Sequence, residues 1–190
     1  MRNLVWYAVV ALLGIASASA SAGVTIHYEG QAKNEAAVDQ VIAVLREEAK
    51  RNGWQSREAS FADVSLKRVI NEKDVPYRGP VRGVLVQAHP DCEPLYVQFD
   101  SDFFIQDFVK TQFAGAEVHV QVIQLLKKIQ PLFTSLTVED EGEYWETSNK
   151  QTLENHIAKV NSLITEMKKS KPGLKGPVTL PSGRIVDLMR

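Results

Sequence analysis

The chain contains one cysteine, Cys92, in 190 residues. A lone thiol cannot close an internal disulfide, so the core must hold the fold. Charge of one sign is also missing, because 22 Lys and Arg stand against 23 Asp and Glu. That balance offers no basic stripe, so nucleic acid is not an expected partner. Beyond the N-terminus no apolar run approaches the roughly 20 residues a spanning helix needs. A glycine-rich phosphate loop, a dinucleotide fingerprint, a nucleophile elbow and an HExxH pair are all absent, as is the EF-hand spacing. Each absence removes a well-defined enzyme or cofactor class. No cofactor is expected on motif grounds, and a divalent metal is the one left open.

What is present begins at the N-terminus. Met1-Arg2-Asn3 is a short basic start, Leu4 to Ile15 is apolar, and Ala16 to Ala22 alternates Ala with Ser. This is the grammar of a secretory signal peptide, whose apolar core is too short for a membrane anchor. Cleavage after Ala20 or Ala22 is expected, leaving a periplasmic or secreted protein without stable membrane insertion. Loss of Arg2 takes the net charge from −1 to −2. The remaining chain of about 170 residues is the size of one domain, and 44% hydrophobic residues suffice for a core. Residues 1–22 are read as the signal peptide, 23–169 as a single α+β domain and 170–190 as a loose tail rich in Gly, Pro and Lys, in which Pro181-Ser182-Gly183 can turn a short final strand over Arg184 to Leu188.

Within the domain, Val24 to Tyr28 alternates as a strand. Asn34 caps a helix whose face is Val38, Val41, Ile42, Leu45 and Ala49, and Gly53 suits its stop. Trp54 to Phe61 is extended, Val64 to Arg68 alternates imperfectly, and Asn71 to Pro80 reads as a loop. Val81 to Ala88 and Leu95 to Phe99 are two strands joined by a proline-flanked link. Ser101 to Phe113 is ambiguous: Phe104 and Phe108 stand four apart, as in a short helix, but the aromatic density also suits a strand. Val118, Val122, Leu125, Leu126, Ile129 and Phe133 form a second helical face ending near Pro131. Ser135 to Val138 is a short strand. A third helix, capped by Ser148 or Asn149, turns Leu153, Ile157, Val160, Ile164 and Met167 inward. The expected class is α+β, a mainly antiparallel sheet with about three helices packed on it. A ferredoxin-like core with additions is the first topology to draw.

Three polar segments are candidates for chemistry. His89, Asp91, Cys92 and Glu93 combine imidazole, carboxylate and thiol on a stiff link, all capable metal ligands. Proline and aspartate are equally the residues of a simple turn. Lys110, Thr111 and His119 fall around the start of the second helix, where free N–H groups favour an anion. The acidic run around Asp140 and Glu141, followed by Tyr144 and Trp145, combines carboxylates with aromatic side chains that can anchor a partner. The functional expectation is an exported, non-enzymatic binding protein for another envelope or extracellular protein, an inhibitor or immunity-type protein being one form. The alternative is a small metal-assisted hydrolase joining the His89–Glu93 link to the Asp140–Glu141 loop.

Overall fold

A computed structural model describes residues 23–190. The signal peptide expected at Met1 to Ala22, and with it the expected site of processing, lies outside the described residues. Among the described residues no helix is long and apolar enough to cross a membrane.

The strands are β1 (Thr25–Ala32), β2 (Gln55–Glu58), β3 (Phe61–Ile70), β4 (Lys73–Gln87), β5 (Leu95–Phe99), β6 (Phe104–Lys110), β7 (Phe133–Asp140), β8 (Val178–Thr179) and β9 (Ile185–Val186). The helices are α1 (Glu35–Arg51), α2 (Ala116–Ile129), the short α3 (Tyr144–Thr147) and α4 (Lys150–Ser170). The expected α+β class is the observed one. All ladders are antiparallel: β1 lies between β6 and β7, and β4 pairs with β2, β3 and β5. Between these two groups, β5 and β6 are stitched backbone to backbone at their ends. The Glu93 N–H donates to Lys110 O at 2.9 Å and the Asp100 N–H to Phe104 O at 3.0 Å. Counted across that seam, the order β7-β1-β6-β5 is that of a ferredoxin-like core, with β2, β3 and β4 as additions.

Local sequence explains the helices. The Asn34 side chain accepts the Ala37 N–H at 2.9 Å and starts α1, and Asn149 accepts the Gln151 and Thr152 N–H groups and starts α4. Such caps satisfy donors that a helix start leaves open. Val38, Val41 and Leu45 of α1 and Val122, Leu126 and Ile129 of α2 pack onto Ile26, Val84, Val97, Ile105 and their neighbours as one core. Each such side chain contributes about 1.5–3 kcal/mol when fully buried. Gly83 is needed on β4, because a Cβ there would meet the Val97 carbonyl oxygen at 2.0 Å.

Three expectations change and one open alternative is resolved. Asn71 to Pro80 is not a loop. It is the tip of a β3–β4 hairpin arm that runs past the end of β5. The turn is two residues, Asn71 and Glu72, both left-handed with φ of 52° and 63°, the geometry that matches strand twist in a tight hairpin. Its prolines are tolerated because Pro76 lies opposite Lys67 on this outer ladder and Pro80 falls within the register irregularity between Phe61 and Val64. Second, the open choice at Ser101 to Phe113 resolves to a strand over Phe104 to Lys110, with Ile105 and Val109 facing the core at period two. Third, Met167 of α4 is exposed, because the apolar stripe of that helix is buried at Leu153 and Ile164 and then leaves the body. Fourth, the C-terminal segment is tied down: β8 and β9 pair with each other, and Ile185 and Asp187 are buried.

Candidate functional site

At one end of the sheet, β6 runs into Thr111 and β7 into Asp140, with the first turn of α2 between them. Thr111 Oγ1 lies 2.7 Å from His119 Nδ1. His119 Nε2 lies 3.0 Å from Asp140 Oδ1, without the alignment of a full hydrogen bond. Hydroxyl, imidazole and carboxylate follow one another in the order of a nucleophilic triad. The order does not make a catalytic centre here, because Thr111 and His119 have no exposed surface at all. Gly142 closes the space further: a Cβ on it would stand 3.1 Å from both His119 Cε1 and Asp140 Oδ1.

Asp140 acts as a structural acceptor. Its carboxylate takes the N–H groups of Gly142 at 2.7 Å, Tyr144 at 2.8 Å and Trp145 at 2.9 Å. Burial pushes its acid strength the other way, but His119 and these N–H donors prevail and hold Asp140 below the ordinary aspartate range. Glu141 accepts the Thr25 N–H at 2.8 Å and is pushed up by burial, which outweighs that bond. Tyr144 and Trp145 are half-buried and pack against the core, with Lys127 Nζ 5.3 Å from the centre of the Trp145 ring.

The His89–Glu93 link divides in two. His89 and Asp91 point outward, where His89 Nδ1 accepts the Asp91 N–H at 3.1 Å. Cys92 and Glu93 turn inward and are buried. The Cys92 thiol donates to Glu93 O at 3.0 Å, and burial, aided by the Glu93 charge, pushes it up to about 12. The link and the acidic loop do end at the same end of the sheet, joined through paired Lys110 and Thr25. Their carboxylates are nevertheless committed to separate partners. Among the described residues no three His, Cys, Asp or Glu side chains stand together as a set that could hold a metal ion.

The largest arrangement of polar groups that sequence reasoning missed lies along the β5–β6 seam. Side chains take the place of a neighbouring strand there. Arg68 of β3, almost wholly buried, donates from its guanidinium to Gln106 O at 2.9 Å and to Phe104 O at 3.4 Å. It lies 3.4 Å from Asp100 and 5.4 Å from the centre of the Phe104 ring. Arg184 donates to Phe108 O at 2.7 Å and to Glu93 at 3.2 Å, and pairs with Asp107. Lys110 Nζ reaches Asp187 at 2.9 Å and Ile185 O at 3.3 Å. Burial raises the Asp107 and Asp187 carboxyls, with Arg184 and Lys110 pulling in the opposite direction. Above these groups opens a cavity of about 240 Å³ whose walls include Lys67, Arg68, Tyr96, Gln106, Phe108 and Arg184. The available signal was a charge at Arg68 on the inward parity set by Val64 and Leu66. The partners of Arg184 are 75 or more residues away in sequence and left no local trace.

Of the residues singled out in the sequence, Lys110, Thr111, His119, Cys92 and Glu93 are therefore buried, Tyr144 and Trp145 are half-buried, and Glu141 is exposed. Comparison of the chain with protein-family models, curated proteins and solved structures finds no match in any of the three.

Proposed function

We propose that this chain is an exported, non-enzymatic binding protein that engages another envelope or extracellular protein through the β3–β4 arm. The supporting observation is the contrast between buried chemistry and exposed apolar surface. The side chains best suited to catalysis are spent on internal bonds. Large apolar side chains are exposed instead along the arm, Val69 at 51%, Ile70 at 47% and Val75 at 41% near its tip and Phe61 at 54% at its base. Exposed apolar residues near one hairpin tip suit a protein contact surface. An inhibitor or immunity-type role fits a small domain with a projecting hairpin. The export half of the reading rests on the pattern of Met1 to Ala22 alone. The metal-assisted alternative has less support, since its ligands would have to leave their present hydrogen bonds to converge.

The test is a paired capture from envelope extract, using the mature chain and the double variant Val69→Asp, Ile70→Asp. A partner retained by the wild type and lost by the arm variant supports the reading. Leu163→Asp with Met167→Asp, on the exposed stripe of α4, serves as the comparison surface. A partner lost only in that second variant, or none at all with either protein, would sink the arm as the binding element.

A further inference from the structure

The C-terminal segment is held as a ligand is held. Arg184 enters a cage of two rings and two carboxylates: its guanidinium carbon is 4.1 Å from the centre of Phe108 and 5.2 Å from that of Tyr96. Glu93, itself only 2% exposed, and Asp107 neutralise it. Planar stacking combined with carboxylate pairing selects guanidinium over ammonium. The next residue, Ile185, is buried, donates its N–H to Glu93 Oε1 at 2.7 Å and receives Lys110 Nζ on its carbonyl. Two residues further, Asp187 closes the set on Lys110. Upstream, Tyr96 donates to Ser182 O at 2.9 Å.

These contacts read three side chains and the backbone between them along a parted strand edge. The backbone is held by the side chains of Glu93, Lys110 and Tyr96 and the side chains by pockets, a division of affinity and specificity suited to an extended peptide. The segment is also folded on itself, through the β8–β9 ladder and the exchange of hydrogen bonds between Lys175 and Met189, so it docks as a unit. Gly173 and Gly176, with φ of 103° and 155°, lie in the connection to α4.

We propose that the β5–β6 seam is a binding site for an extended segment of another protein, carrying an arginine, an aliphatic residue next to it and a carboxylate two positions beyond. Arg184, Ile185 and Asp187 are its built-in occupant, and they compete with that partner. The arrangement requires no change in the arm and stands independently of the arm's role. A tethered occupant acts at an effective concentration on the order of millimolar, so the wild type binds a free segment weakly until its own tail is displaced.

The probe is the synthetic peptide of residues 181–190, PSGRIVDLMR, labelled and titrated against full-length wild type and full-length Arg184→Ala. The site predicts binding to the variant at least tenfold tighter than to the wild type, and loss of that binding when the peptide's own Arg184 or Asp187 is replaced by Ala. Equal binding to both proteins, no binding to either, or binding indifferent to the peptide's arginine would overturn it. Arg184→Lys keeps the buried positive charge but not the stacking plane, and carries the same test should Arg184→Ala not fold. No arm residue is altered, so this outcome and that of the capture experiment are independent.

Discussion

The Gln106 side-chain amide exchanges two hydrogen bonds with the backbone of Val69, accepting its N–H at 2.7 Å and donating to its carbonyl at 2.8 Å. A neighbouring strand would make the same two bonds. Through this bridge β6 holds the edge of the arm, next to the place where Arg68 enters the seam. Gln106→Ala is expected to cost about 1 kcal/mol, the ordinary net worth of accessible hydrogen bonds. Its clearer effect is local. Amide exchange at Val69 accelerates several-fold while exchange at core positions such as Val97 does not. Uniform acceleration across both regions would mean that the bridge supports the whole fold instead of the arm.

Glu72 is in the left-handed region at the arm's turn, where a side chain costs about 1–2 kcal/mol relative to glycine. Glu72→Gly is therefore expected to stabilise the protein by about 1 kcal/mol, allowing for the greater freedom glycine has when unfolded. Denaturant unfolding followed by tryptophan fluorescence gives the sign directly. A loss of stability would contradict the turn geometry.

The hydroxyl–imidazole–carboxylate chain at Thr111, His119 and Asp140 is structural, and His119→Ala is expected to cost about 3 kcal/mol, because it opens a cavity and leaves the buried Thr111 hydroxyl without its partner. Asp140 adds a pH signature. Its folded-state acidity is stronger than that of an unfolded aspartate. The stabilisation it provides is thus complete above the unfolded value of about 3.9 and lost as pH falls through the lower folded value. Asp140→Asn should lie below the wild type in stability at pH 7, and the gap should narrow below about pH 4. A gap that stays constant down to pH 2 would remove the ionised carboxylate from the account.

Cys92 is buried, and its thiol is pushed up to about 12. Only the thiolate reacts at an appreciable rate. Iodoacetamide at pH 8 should leave the folded protein unlabelled and modify one site once denaturant is added. Rapid labelling in the folded state would place the thiol at an accessible surface.

The strands and helices with clean periodicity were legible. Leu95 to Phe99 alternates and is a strand over those same residues, Asn34 caps its helix as expected, and of Ser148 and Asn149 it is Asn149 that caps α4. The arm was hidden because Pro76, Pro80 and Gly79 read as loop residues, and only pairing with β3 makes them a strand. Phe104 and Phe108 left helix and strand both open, since four-residue spacing also puts two residues on one face of a strand. The candidate polar residues were identified by type, but type does not reveal burial: Lys110 and His119 are polar residues whose partners close over them. The Arg184 cage was illegible, because Glu93, Tyr96, Phe108 and Arg184 meet only through the tertiary fold.

Binding through the arm is the central claim, and hydrogen exchange of the captured complex tests it most directly. Peptides covering Phe61 to Pro80 should gain protection in the complex, with those covering His89 to Glu93 and Asp140 to Trp145 unchanged. Protection confined to the latter two segments, with the arm exchanging as in the free protein, would contradict it.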